Sequence, residues 1–242
     1  LATIPAVFLT VFYSLIELAR IKKGDKVLIH AATGGVGLAA IQLCKLYECE
    51  IYATAGSEEK RTYLKSIGVV NVYNSRTVDF FDEILKDTDG KGVDVVLNSL
   101  VGEAMYKSLQ LLNNFGRFIE IGKKDIFENS KIGMEVFRKS LSYFMVDAEK
   151  LLFEKPELLG ELLHEISALF EEKQLEPLPF NVFNIAQAKE AFRLINTSKH
   201  IGKIVINIEH QEDLEIHKNS EFTIDEKATY LLTGGLGGLG LQ

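Results

Sequence analysis

The stretch Val27-Leu-Ile-His-Ala-Ala-Thr-Gly-Gly-Val-Gly37 constrains the fold of this chain more than any other. Val27 to Ile29 read as a buried strand. Ala31 to Gly35 are small enough for a tight turn, and Val36 to Tyr47 read as an apolar helix. A strand, a glycine turn and a helix bring unpaired N–H groups and the positive end of a helix dipole to one point, which stabilises a pyrophosphate. Glycine is needed where a side chain would hold the phosphate away. The pattern is Ala31-x-x-Gly34-x-x-Gly37, with Ala32 where the common pattern has its first glycine. The same residues also suit a tight strand–helix turn that binds nothing.

The rest of the chain decides between these readings. Pro5 to Arg20 reads as a helix with wide apolar coverage, Pro5 standing in its first turn. Strands are expected at 27–29, 50–54, 69–73, 92–97, 116–122 and 141–146. Helices are expected at 36–47, from an N-cap at Ser57 to about Gly68, at 79–87 and from the 98–102 loop through Leu112. Strands and helices thus alternate about every 20 to 25 residues, which implies right-handed βαβ crossovers and a parallel sheet covered on both faces. The expected fold class is α/β, a Rossmann doubly wound parallel six-stranded sheet. The loops at 31–35, 54–57, 74–76, 98–102, 122–125 and 147 all leave carboxyl ends of strands, where such sheets bind ligands. That convergence favours a dinucleotide site.

Five segments are expected: a connecting helix at 1–24, the cofactor domain at 25–174, a C-terminal helix and strand at 175–208, an acidic linker at 209–227 and a second glycine-turn strand at 228–242. A long helix is expected at about 150–172, Pro177 and Pro179 break the chain, Asn184 caps a helix to Ile195, and 200–207 forms a last strand. Thr233, Gly234, Gly238 and Gly240 repeat the theme of the opening turn.

Composition excludes several classes. The 242 residues carry a net charge of −7 and no basic block, so nucleic acid is not an expected partner. Two cysteines, Cys44 and Cys49, make neither a structural zinc site nor a disulfide framework, and no metal is expected. No apolar run reaches the roughly 18 residues of a membrane span, and no signal peptide is expected, so a cytoplasmic location without membrane attachment is expected.

The end of the second strand identifies the cofactor type. An NAD site places an acid there to hold the ribose hydroxyls. Here the run is Ala53-Thr-Ala-Gly-Ser57, with Glu58 and Glu59 one turn on, where capping explains them. Ser57, Lys60 and Arg76 offer the cations and hydroxyl that a 2′-phosphate requires. NADPH is expected over NADH, although Lys60 and Arg76 also suit solvated surface charges.

Five runs together now resemble a known family. They are His30 to Gly37, Ala55 to Arg61, Gly92-Val-Asp-Val-Val-Leu-Asn-Ser-Leu100, Gly116-Arg-Phe-Ile-Glu-Ile-Gly-Lys123 and His200-Ile-Gly-Lys203. Over about residues 1–208 the chain resembles the enoylreductase domain of modular polyketide synthases, on the zinc-free side of the medium-chain dehydrogenase/reductase superfamily. Residues 228–242 resemble the start of a ketoreductase domain. The resemblance implies an N-terminal GroES-like domain outside this chain, which begins Leu1-Ala-Thr-Ile-Pro5. It implies NADPH-dependent reduction of a trans-2-enoyl thioester held on acyl carrier protein, with neighbouring synthase domains as partners. A stand-alone quinone or alkenal reductase, and a nucleotide-binding fragment inactive by itself, are the competing readings.

The resemblance implies Lys123 and Asp147 as proton donors, with Lys124 a competitor for Lys123. A Tyr from the absent domain is a further family alternative, and a structural ion pair is the non-catalytic one. Thr10 and the Asn98-Ser99-Leu100 loop would flank the nicotinamide, beside Gly122. Ala31, Thr33, Gly34, Gly35, Val36 and Gly37 would hold the pyrophosphate. Tyr13 and Tyr52 fit core packing, and His30 fits a buried structural histidine.

Overall fold

The computed structural model describes residues 2–208. The expected linker at 209–227 and the glycine-turn strand at 228–242 lie outside the described residues.

Six strands form one parallel sheet: β1 (Lys26–Ile29), β2 (Glu50–Ala55), β3 (Asn71–Asn74), β4 (Val93–Asn98), β5 (Leu112–Glu120) and β6 (Ser142–Met145). Their order is β3-β2-β1-β4-β5-β6, so the direction of winding reverses beside β1. The alternation of each strand divides the core in two. Val27, Ile29, Ala53, Leu97 and Ile119 face α1 (Pro5–Phe12), α2 (Gly35–Leu46), α3 (Glu58–Ser66), α7 (Ala148–Glu154) and α8 (Pro156–Glu171). Leu28, Tyr52, Val96 and Phe118 face α4 (Phe80–Asp87) and α5 (Glu103–Gln110). Burial on both faces accounts for the nearly unbroken apolar runs of β1 and β4.

Several expected boundaries change. The first helix is α-helical only to Phe12 and continues as a π-helical segment, Tyr13–Leu18, which buries Ser14. The helix expected to run through Leu112 ends at Gln110, and Leu112 opens β5. Gly92 requires this crossing: its φ is +79°, and an added Cβ would lie 2.0 Å from the Leu111 carbonyl oxygen. The long helix expected at 150–172 is two helices, because Pro156 cannot continue a preceding turn and instead starts α8. A short α6 (Lys124–Phe127) and a 3-10 turn at Met134–Lys139 lie between β5 and β6.

One strand has no counterpart in the sequence reading. β7 (Phe180–Asn184) pairs in parallel with β8 (Lys203–Asn207), and α9 (Ala188–Asn196) connects them. Asn184 forms a capping box with Gln187. This C-terminal unit reaches the main sheet where Gly202 N–H donates to the Thr33 carbonyl at 2.8 Å and bridges to Gly34.

Candidate active site

The site lies along the carboxyl ends of the six strands and has three parts. The first is the glycine turn. Ala31 adopts a left-handed φ of +48°, a cost of roughly 1–2 kcal/mol that persists where surrounding contacts impose it. The imposing contacts are Ala32 N–H to Thr54 O at 3.0 Å and Gly34 N–H to Ala31 O at 2.9 Å. Gly34 is the N-cap of α2 and offers no side chain to the first-turn amides of Gly35, Val36 and Gly37. Gly37 packs against the backbone of Ala32, where a Cβ would come within 2.5 Å. Residues 31–37 thus form a cradle open to an anion, and the residues fit a nucleotide pyrophosphate.

Below this turn sits His30. It is fully buried, and burial pushes its pKa down to about 3. Its Nε2 lies 2.7 Å from Ser108 Oγ and its Nδ1 2.9 Å from Thr54 Oγ1. Ser108 already donates its hydroxyl proton to Ala104 O at 2.7 Å. The Nε2–H tautomer follows: Nε2 donates to Ser108 and Nδ1 accepts from Thr54. His30 is a neutral strut between strands and α5, as the sequence indicated.

The second part lies beyond β2. Ser57 caps α3, its Oγ accepting from Lys60 N–H at 3.4 Å. Arg76 packs against Gly56, where a Cβ would meet its Nε at 2.6 Å. Lys60 Nζ donates to Ser198 O at 2.6 Å. Its pKa is lowered by burial and then by the Arg76 charge, with Glu59 opposing. Glu58 is engaged by Arg61 at 2.6 Å. Ser57, Lys60 and Arg76 therefore stand on one rim, with Glu58 drawn off by Arg61 and Glu59 beside Lys60.

The third part spans the ends of β4, β5 and β6. Lys123 Nζ stands 3.0 Å from Asp147 Oδ1 and 3.9 Å from Glu149 Oε2. Lys124 is instead on α6, 3.9 Å from Glu128. Asn98 folds the next residues back, donating Nδ2–H to Leu100 O at 2.8 Å and accepting from Leu100 N–H at 3.2 Å. Ser99 Oγ is buried without a hydrogen-bond partner. An orphaned buried hydroxyl of this kind fits a polar ligand group such as a carboxamide. Thr10 is half-buried on α1, with its hydroxyl held by Ala6 O at 2.7 Å. Tyr52 is core, and its hydroxyl donates to Glu50 at 2.6 Å.

The sequence reading passed over three participants. Lys203 lays its side chain over the turn, with Cδ 2.7 Å from where a Cβ of Gly35 would stand. Ser198 holds Lys60 through its carbonyl. Glu120 is 2% exposed and joins Asn98 to Gly122. A carboxylate in the apolar run Phe118-Ile119-Glu120-Ile121 was the available signal for the last.

Known proteins share this fold. A family of zinc-binding dehydrogenases matches residues 67–206. One component of the phenolphthiocerol/phthiocerol polyketide synthase of Mycobacterium tuberculosis is 44% identical over 241 residues, which is 99% of this chain and 11% of that protein. The nucleotide-binding subdomain of the enoylreductase domain of PpsC from Mycobacterium tuberculosis is 46% identical with a TM-score of 0.69, over 72% of this chain and 97% of that one. CurK enoyl reductase is 44% identical with a TM-score of 0.77, over 85% of this chain and 62% of that one. The chain belongs to the zinc-binding dehydrogenase family, within the group formed by the enoylreductase domains of polyketide synthases. It spans about a tenth of the length of the curated synthases it matches.

The family's name refers to zinc. Among the described residues no three His, Cys, Asp or Glu side chains converge on a metal position, so the residues present do not fit one. Among them too, no helix is long and apolar enough to cross a membrane. Both cysteines are free thiols.

Proposed function

We propose that this chain is the cofactor-binding part of an NADPH-dependent enoyl reductase acting on a trans-2-enoyl thioester carried by acyl carrier protein in polyketide assembly. The observation that carries the reading is the Lys123–Asp147 pair at 3.0 Å beside the Asn98–Leu100 loop. The relatives named as enoyl reductases support it.

NADPH, when bound, supplies the hydride that reduces the β-carbon. The first-turn amides of α2 would hold its pyrophosphate, and Ser57, Lys60 and Arg76 would hold its 2′-phosphate. Thr10, Ser99 and Gly122 would border the nicotinamide. Reduction at the β-carbon places negative charge on the thioester oxygen and α-carbon. The Lys123 ammonium stabilises that charge and delivers a proton to the α-carbon, leaving a neutral amine that solvent reprotonates. Asp147 keeps the ammonium in place through the pair, half-exposed so that water reaches it. Neighbouring synthase domains deliver the substrate and take the product.

The test uses the full polypeptide in which this chain occurs. Lys123→Ala is expected to lower kcat for enoyl thioester reduction by about 10²–10⁴, the range for a lost general acid. Asp147→Asn is expected to lower kcat less while leaving the NADPH dissociation constant nearly unchanged. Wild-type turnover in both variants would place the proton donor elsewhere.

A further inference from the structure

Glu120 lies at the end of β5 with 2% of its surface exposed. A carboxyl group at that depth is costly unless each oxygen finds a donor. Oε2 accepts from Asn98 Nδ2 at 2.5 Å, and Oε1 accepts from Gly122 N–H at 2.6 Å. Its backbone oxygen accepts from Val146 N–H at 2.8 Å. One residue therefore touches the ends of β4, β5 and β6. Asn98 passes the restraint on to Leu100. Gly122 directly precedes Lys123, and Val146 directly precedes Asp147.

Gly122 supplies an independent indication. Its φ is not left-handed, so rotation does not demand glycine there. A Cβ would stand 2.8 Å from Glu120 Oε1. The missing side chain makes room for the carboxylate.

We propose that Glu120 is a positioning residue: its carboxylate clamps the Asn98–Leu100 loop to the Gly122 turn and so sets where the Lys123–Asp147 pair stands. This rests on the enoyl reductase reading above. Lys123 does the chemistry with Asp147 holding it, and Glu120 acts through that pair without touching substrate.

The clamp has a protonation state that changes near neutrality. Burial raises the Glu120 pKa to about 7; the hydrogen bonds from Asn98 and Gly122 oppose the rise, and Asp125 adds to it. Tyr143 of β6 also faces it, its phenol pushed up to about 12 by burial and then by Glu120 and Asp125. Gaining a proton weakens the two charge-assisted hydrogen bonds. The clamp is tight above about pH 7 and loose below.

Glu120→Gln mimics the loose form at every pH. The assay follows NADPH-dependent reduction of a crotonyl thioester of N-acetylcysteamine by the full polypeptide. At pH 8 the variant is expected to lose roughly ten- to a hundredfold in kcat, the scale for a small misplacement of reacting groups, with thioester KM within about threefold. The wild-type fall in kcat below about pH 7 is expected to vanish. Glu120→Gln should add nothing to Lys123→Ala, since it acts through that residue. Gly122→Ala displaces Oε1 and should reproduce both the loss and the flattened pH profile; if Glu120→Gln does not fold, that flattened profile decides, because a lost nicotinamide contact alone would leave the pH dependence in place. Wild-type kcat and pH profile in the variant, or losses that multiply with Lys123→Ala, overturn the proposal. A readout without turnover separates it from the enoyl reductase reading. In protein carrying 13C-dimethylated lysines, the chemical shift of the Lys123 methyls is expected to change as Glu120 loses its proton near pH 7 in wild type and not in Glu120→Gln. Absence of that change overturns the clamp, whereas failure of the wild type to reduce any enoyl thioester overturns only the reaction.

Discussion

His30→Gln separates the acid stability of this chain into a part that can be calculated. The glutamine amide matches the deduced tautomer: its oxygen accepts from Thr54 where Nδ1 does, and its NH2 donates to Ser108 where Nε2–H does. It does not titrate. The native pKa of about 3 lies below the ordinary value of 6.5. The unfolded chain therefore binds the proton first, and stability is lost as pH falls from 6.5 towards 3. At about 1.4 kcal/mol per pKa unit, His30 removes about 2 kcal/mol by pH 5 and about 3 kcal/mol by pH 4, relative to pH 7.5. That is a large share of the roughly 5–15 kcal/mol that holds a domain folded.

Glu120 works in the opposite direction. Its pKa is raised from 4.5 to about 7, so its contribution is whole below 4.5 and declines as pH rises through 7. Between pH 5 and 6.5 the two slopes partly cancel, and the wild-type curve alone is uninformative. The measurement is therefore the difference between wild type and His30→Gln in urea unfolding, followed by circular dichroism at pH 7.5, 5 and 4. At pH 7.5 the variant is expected to be less stable by about 1–2 kcal/mol, since it loses the edge contact with the Phe80 ring at 5.2 Å. By pH 4 the order should reverse. Parallel curves across this range would refute the buried neutral histidine.

Two further perturbations address the cofactor. Lys60→Ala is expected to weaken NADPH binding roughly ten- to a hundredfold, the scale of one charge-assisted hydrogen bond, and to leave NADH nearly unchanged; titration of nicotinamide fluorescence checks it, and equal losses would remove the 2′-phosphate assignment. Gly37→Ala forces a methyl into the Ala32 backbone at 2.5 Å, so thermal unfolding should reveal a loss of roughly 1–3 kcal/mol together with weaker binding of both nucleotides.

What could be read from the sequence was whatever has a local cause. The strand at Val27–Ile29 and the glycine turn follow from side-chain size and apolarity, and the Ser57 cap from its hydroxyl. The meeting of Lys123 and Asp147 followed from topology, because adjacent parallel strands end side by side. Pro156 was a local signal outweighed by apolar periodicity running on through Leu158. β7 escaped because its run Phe180-Asn-Val-Phe-Asn184 is exposed on most sides and takes its order from β8. The hold of Ser198 on Lys60, and of Glu120 on Asn98, involve residues remote in sequence. No window along the chain contains both partners.

The contact between Gly202 and Thr33 carries a consequence for how the protein is made. A ribosome releases the glycine turn well before the segment at Gly202 that crosses it, with β2 to β7 emerging in between. Contacts between such distant residues form late, after the intervening loop has been closed. The turn at residues 31–37 is thus completed by Gly202, a residue made much later. A nascent chain with a finished six-stranded sheet still lacks the segment that crosses this turn.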